Sequence, residues 1–300
     1  MLYLREISNV ILRFTEVFYV EALAVRGADG DAQVVAMWLH EKSDNTKKAY
    51  ARDVGKFTAF VGKPLGAVTL GDVQMFSDSL GAGAQATKAR AVAAVKSLFA
   101  FAHRIGYLRF DVTAPIRLPK IKNALSERIL TEGDVHRVIA LEENARNRTL
   151  IKLLYVAGLR VSEACSLRAR DVRPASDGGY VTVYGKGGKT RTILLGQGIY
   201  EELLSLRGGG PDEPLFKSQK GGALSASQAW RAVRRAAERA GVEAPVSPHW
   251  FRHAHASHAL DRGCPIHLVQ ATLGHASVAT TGRYLHARPN DSSARYLCSP

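Results

Sequence analysis

Three cysteines in 300 residues, Cys165, Cys264 and Cys298, are too few and too scattered for a disulfide framework or a thiolate metal cluster. Their odd number points to a reducing compartment, the cytoplasm. An uninterrupted apolar run of about 20 residues is also missing. The N-terminal "VILRFTEVFYVEALAV" is broken by Arg13, Glu16 and Glu21 and carries no small-residue cleavage site, so it reads as an amphipathic helix rather than a membrane span or a leader. There is no low-complexity segment and no convincing internal repeat. The most informative shortage is of acid. Between Ser43 and Lys122 stand 13 Lys and Arg, five Asp and no Glu, a balance of +8 out of a total net charge of +14. An excess so concentrated calls for a polyanionic partner.

What is present organises into two domains, which the length allows. In the basic region, "NTKKAYARDVGKFTAFV" predicts a helix capped by Asn45 or Thr46. Tyr50, Val54, Phe57 and Val61 form its apolar stripe, and Lys48, Arg52 and Lys56 a basic stripe pointing nearly the other way. A second helix, "ATKARAVAAVKSLFAFAHRIG", turns Val92, Val95, Phe99 and Ala102 inward and Lys88, Arg90 and Lys96 outward, and ends at Gly106. A helical domain over 31–115 follows, preceded by a helical extension over 1–30. Its basic face is either a solvated surface or a nucleic-acid contact. "FDVTAPIRLPKIKNALSERIL", with two prolines and no period, predicts a linker over 116–128. The second domain spans 129–288, with Thr131 as an N-cap and Gly158 as a helix stop. A β-hairpin covers roughly 180–195, and further helices are bounded by Ser247-Pro248, Gly263, Pro265 and Gly274. Residues 289–300 form a tail. The expected class is mainly α with a small β-sheet.

Four segments of the second domain carry reactive groups. In "GLRVSEACSL", Arg160 and Glu163 lie on one side if a helix starts there, as a structural salt bridge or as part of a site. In "GKGGKTR", Lys186 and Lys189 occupy the hairpin tip, either solvated or set against a phosphate. In "SPHWFRHAHASHAL", His249 and Arg252 share a face in the first turns of a helix, where an anion is favoured. His249 and His253 also have the spacing of helical zinc ligands, with His255 and His258 close by. A zinc hydrolase helix would place a Glu between them, and none stands there, so no metal is expected. In "LGHASVATTGRYLH", His275 precedes Tyr284 by nine residues. One continuous helix would put the two on opposite faces; they converge only if His275 lies in the loop closing the preceding helix. Together these groups fit metal-free phosphodiester transfer. Two arginines bind the non-bridging oxygens, a histidine adds a donor, a lysine protonates the leaving oxygen and a tyrosine attacks.

In that order, "GLRVSEACSL", "GKGGKTR", "HWFRH", "LGH" and the terminal tyrosine resemble the tyrosine recombinase (integrase) family, in particular its Xer-like members. The resemblance covers roughly residues 35–290 and includes Thr46, Tyr50 and Asp53 in the helical domain. It implies an N-terminal helical core-binding domain and a C-terminal mixed α/β catalytic domain that together clamp DNA. By position, Arg160, Lys186, His249, Arg252 and His275 activate the phosphate, Tyr284 is the nucleophile and Glu163 supports the pocket. Lys47, Lys48, Arg52, Lys56, Lys88, Arg90, Lys96 and Lys189 are the candidate DNA contacts. No cofactor is implied. The implied partners are duplex DNA with paired inverted sites, a homotetramer on two sites, a tail docked on a neighbouring subunit and an optional second recombinase or accessory protein. The implied place is the cytoplasmic nucleoid. The chemistry is strand exchange through a 3′-phosphotyrosyl link and a four-way junction. A silent DNA-binding regulator of the same fold is the alternative; it would have lost a catalytic group, and none is lost. One departure stands out. The family's "TTQIYTH" reads "TTGRYLH" here, and Gly282 costs about 1 kcal/mol of helix stability relative to alanine, which predicts a mobile tyrosine segment.

Overall fold

The computed structural model describes residues 30–81, 85–119, 125–185 and 188–285. The expected N-terminal helix, Lys186, Cys298 and the tail with its "SSARYL" segment lie outside the described residues. The chain divides into two compact units, Met1–Lys122 and Asn123–Pro300. Among the described residues no helix is long and apolar enough to cross a membrane.

The first unit packs α1 (Asp31–His40), α2 (Asp44–Val61), α3 (Leu70–Ser79) and α4 (Gln85–Arg104) around one core. The stripe on α2 falls as its periodicity predicts: Val54 and Phe57 are buried, and Tyr50 and Val61 pack at the rim. Phe57 meets Phe76 and Phe99 edge-on, with centroids 5.1 and 6.0 Å apart, the geometry favoured by the ring quadrupoles. The start of α2 differs from expectation. The helix is preceded by Ser43, whose hydroxyl lies 2.9 Å from that of Thr46, so Thr46 sits inside the first turn instead of capping it.

Two cations expected to face outward are used within this unit. Arg90 donates Nε and Nη2 to the two carboxylate oxygens of buried Asp53, at 2.8 and 3.1 Å. Lys96 Nζ donates to the carbonyls of Thr113, Ala114 and Ile116 at 2.5, 3.2 and 2.7 Å, pinning the start of the proline-containing segment to α4. Helical periodicity shows which way a side chain leaves its helix, not what a distant segment brings to meet it. Lys48, Arg52 and Lys56 are exposed, and Lys47 and Lys88 half-buried.

The second unit holds α5 (Glu132–Ala140), α6 (Ala145–Val156), α7 (Val161–Ser166), β1 (Val172–Ala175), β2 (Gly178–Tyr184), β3 (Thr190–Leu195), α8 (Gln197–Ser205), α9 (Ala226–Arg239), α10 (Pro248–Asp261), α11 (Ile266–Leu273) and α12 (Val278–Gly282). Thr131 Oγ1 accepts from the Asp134 amide at 3.0 Å, closing the first turn of α5. The antiparallel sheet runs β1-β2-β3 with Val181 opposite Ile193, which turns Val181, Val183, Ile193 and Leu195 into the core. β1 is an addition to the predicted hairpin. "VRPA" has no alternation to announce a strand, and its Pro174 is tolerated because β1 lies at the sheet edge.

Two turns position the site. Gly158 has φ +58°, and a Cβ there would lie 2.7 Å from Leu273 Cδ2 and 2.8 Å from His255 Cδ2, so only glycine lets α6 turn so closely against α10 and α11. Gly274, at φ +64°, closes α11 and sends the chain into the loop that carries His275. A small satellite core joins Leu125, Ile129, Ala256, Val269, Leu273 and Tyr284. The last part of the segment read as a linker thus packs beside the tyrosine.

Candidate active site

Arg160 directly precedes α7, and Glu163 stands in its first turn. The Glu163 carboxylate accepts from the Arg160 amide and from Arg160 Nη1, both at 2.9 Å. From β3, Arg191 donates Nη1 and Nη2 to the same carboxylate at 3.0 and 2.8 Å, and its Nε donates to the Thr272 carbonyl on α11 at 2.7 Å. One buried acid thus fixes two guanidiniums, and one of these ties the sheet to α11. Burial alone would raise Glu163, but Arg191, the Arg160 amide and the Arg160 guanidinium reverse that and hold it at about 2.

Arg252, on α10, is buried and donates Nη1 to the Gly158 carbonyl at 2.6 Å and Nη2 to the Leu273 carbonyl at 2.7 Å. Both acceptors belong to the turns just described, so its planar fork locks the Arg160 loop to the end of α11. His275 lies in the loop after that helix, as its spacing from Tyr284 requires, with Nδ1 2.9 Å from Thr281 Oγ1. An open cavity of about 940 Å³ is lined by Arg160, Glu163, Tyr184, Lys189, Arg191 and His275, among others. His249 does not line it. Its exposed ring opens on a neighbouring groove beside Val161, Trp230 and Arg231.

Tyr284 is 6% exposed, packed in the satellite core, and its hydroxyl lies 2.8 Å from His253 Nδ1. The other histidines of α10 turn elsewhere. His255 Nδ1 lies 2.8 Å from the Tyr155 carbonyl, and His258 Nδ1 lies 2.9 Å from the Tyr155 hydroxyl. Among the described residues no cluster of three or more His, Cys, Asp or Glu is arranged to hold a metal ion.

The charge balance of the site is lopsided. Burial, then the neighbouring Arg160 charge, brings Arg252 down to about 10. His275 falls to about 4 through burial and the charges of Arg252, Arg160 and Arg191, and His249 is lowered by desolvation, Arg252 and Arg160. Tyr284 is raised by burial, which Arg252 and Arg283 only partly offset. Three guanidiniums, Arg160, Arg191 and Arg252, beside one carboxylate, Glu163, leave positive charge for an anion.

The phage integrase family model matches residues 128–291, and that for the phage integrase N-terminal SAM-like domain matches 36–106. The chain belongs to the phage integrase family of tyrosine recombinases. It is 33% identical to tyrosine recombinase XerD of Pseudomonas aeruginosa over 283 residues, 87% of this chain and 94% of that protein. With tyrosine recombinase XerC of Rhodospirillum centenum it shares 36% over 292 residues, 87% and 82% of the two chains. The fold is also that of a lambda integrase tetramer bound to a Holliday junction, at TM-score 0.72 and 19% identity over 95% of this chain and 88% of that one. XerH recombinase in a post-cleavage complex with palindromic difH matches at TM-score 0.69 and 24% identity, covering 84% and 78%. The chain is thus an enzyme of the class that cuts and rejoins DNA through a tyrosine nucleophile, and its named relatives give the silent-regulator reading no support.

Within the recombinase, the structure brings Arg160, Glu163, Lys189 and His275 to one cavity and buries Arg252 and Tyr284 among the elements beside it. Sequence reasoning missed two residues. Arg191 stands inside the quoted "GKGGKTR", where only the lysines drew notice; its weight comes from Glu163, 28 positions away. His253, by spacing alone, reads as half of a zinc pair.

Proposed function

We propose that Tyr284 attacks a DNA phosphate held by Arg160 and Arg252, giving a 3′-phosphotyrosyl link and a free 5′-hydroxyl. His249 and His275 donate to the non-bridging oxygens, and Lys186 protonates the leaving oxygen, with Lys189 as a phosphate contact. Glu163 and Arg191 hold Arg160 in place. The observation that carries this reading is the buried Arg252 fork: two of its nitrogens are committed to carbonyls, it brings positive charge to the tyrosine, and among the described residues no carboxylate forms an ion pair with it. The released 5′-hydroxyl attacks the link on a partner strand, and two rounds through a Holliday junction complete recombination. We extend the reading to a homotetramer on paired inverted sites in the cytoplasm, with the 289–300 tail docked on a neighbour and a second recombinase or accessory protein optional. The domains remain as the sequence suggests, 31–115 for core binding and 129–288 for catalysis, clamping the duplex. Lys47, Lys48, Arg52, Lys56 and Lys88 supply phosphate contacts, and Arg90 and Lys96 remain candidates that also make internal bonds.

The test is covalent capture. Wild type and Tyr284→Phe are incubated with sheared host DNA in EDTA, denatured, and the retained fragments sequenced. Fragments held by wild type alone and sharing a paired inverted motif are expected. Equal retention by both proteins contradicts the assignment of Tyr284.

A further inference from the structure

His253 follows Arg252 on α10, and the phosphate-activating set leaves it without a task. Its Nδ1 lies 2.8 Å from the Tyr284 hydroxyl oxygen, with ring centroids 5.8 Å apart and planes inclined at 44°. Leu125, Ile129, Ala256, Val269 and Leu273 share the satellite core with Tyr284. His249, the other imidazole nearby, has its ring centroid 6.5 Å from that of His253 and opens on the exposed groove.

We propose that His253 is the proton acceptor for the Tyr284 hydroxyl during strand cleavage, an inference that rests on reading Tyr284 as the nucleophile. The phenolic proton passes to Nδ1 of the neutral imidazole. The phenolate electron pair forms the new bond to phosphorus. The bond from phosphorus to the 5′-oxygen breaks, and that oxygen takes a proton from Lys186. In rejoining, the 5′-hydroxyl attacks and gives its proton back to that lysine, the phenolate leaves and the imidazolium of His253 returns the proton, as microscopic reversibility requires.

The ring's environment suits this exchange. His249 and Arg252 face it from α10, Arg128 from the short turn at Ser126–Arg128, and Arg283 from beside the tyrosine. Burial, with these neighbours, brings His253 down to about 4, so the free enzyme holds it neutral and able to accept. A bound phosphodiester adds negative charge beside the same cations and raises the ring's basicity as the phenol must lose its proton.

The experiment uses the full chain and a duplex carrying the captured site, nicked beside the scissile phosphate so that the released fragment diffuses away. His253→Ala, His253→Gln, Lys186→Ala and Tyr284→Phe are compared on the ordinary phosphodiester and on a 5′-bridging phosphorothiolate, whose thiolate leaves without a proton. Both His253 variants are expected to bind the duplex as wild type does and to cleave about 100-fold more slowly or worse. Their rates should climb steadily with pH where the wild-type rate levels off. The phosphorothiolate should rescue Lys186→Ala and leave the His253 defect in place. His253→Gln, which keeps a polar partner for the phenol but cannot take up a proton, separates proton transfer from packing. Wild-type rates in His253→Gln, faster cleavage by His253→Ala, or rescue of either by the phosphorothiolate would overturn the proposal. Cleavage by Tyr284→Phe would overturn the nucleophile assignment itself, whereas an inert Tyr284→Phe beside a fully active His253→Gln would remove this inference alone.

Discussion

In the N-terminal unit the buried carboxylate of Asp53 is matched by one guanidinium, Arg90, and the nearby Lys96 ammonium is absorbed by three carbonyls. In the catalytic unit one buried carboxylate, Glu163, serves two guanidiniums, while a third, Arg252, is held by carbonyls alone. The first arrangement matches its buried acid one to one, while Lys96, held by carbonyls, keeps its charge. The second leaves a surplus of positive charge next to histidines whose protonation is disfavoured first by burial and then by these cations. A carbonyl orients a guanidinium without neutralising it, so the fold can fix Arg252 rigidly and still offer its charge to a phosphate.

The sharpest way to break this contrast is Arg252→Ala. Removing a preorganised charge from the developing phosphorane should lower cleavage by about 1,000-fold, read as covalent complex formed on a nicked duplex. Arg252→Lys should recover little, because an ammonium lacks the fork that reaches both carbonyls. Near-normal cleavage by Arg252→Ala would mean that the buried fork is purely structural, and near-normal cleavage by Arg252→Lys that its charge suffices without the fork.

Glu163→Gln comes next. It leaves the Arg160 and Arg191 guanidiniums without their shared anion and should cost about 3–5 kcal/mol of stability, measured by denaturant unfolding. The pH dependence has a definite sign. Because the folded carboxyl sits at about 2, below its ordinary 4.5, its contribution is complete above about pH 4.5 and fades as pH falls toward 2. The gap between wild type and Glu163→Gln should therefore close on acidification; a gap that holds constant to pH 2.5 would refute the charge account.

The smallest effects belong to the helical unit. Lys48→Gln and Arg52→Gln should each weaken DNA binding and reduce the salt slope by about 1, with stability unchanged. Lys96→Gln should lower the melting temperature and leave the salt slope alone. If all three behave alike, the division between surface and internal cations fails.

These cases also mark what the chain makes legible. Local signals carried far: the α2 stripe, the Thr131 cap, the turns at Gly158 and Gly274, and the placement of His275 in a loop all follow from spacing and backbone preference. The motif order carried the family. What spacing could not reveal were partnerships between distant segments. Arg90 reads as a surface cation until Asp53 is brought against it, Lys96 until the Thr113–Ile116 carbonyls fold over it, and Arg191 until Glu163 arrives. His253 is the plainest case. As half of an i, i+4 histidine pair it suggests a metal, and only the packing of Tyr284 against α10 gives it the tyrosine as a partner.

The central claim is that Tyr284 carries the DNA, and the most direct measurement is to locate the adduct. Covalent complex formed by wild type is digested with protease and nuclease, and the peptide bearing the nucleotide remnant is sequenced by mass spectrometry. A remnant on Tyr284 is the predicted result. A remnant on Tyr184, the exposed tyrosine lining the same cavity as Arg160 and His275, would contradict it.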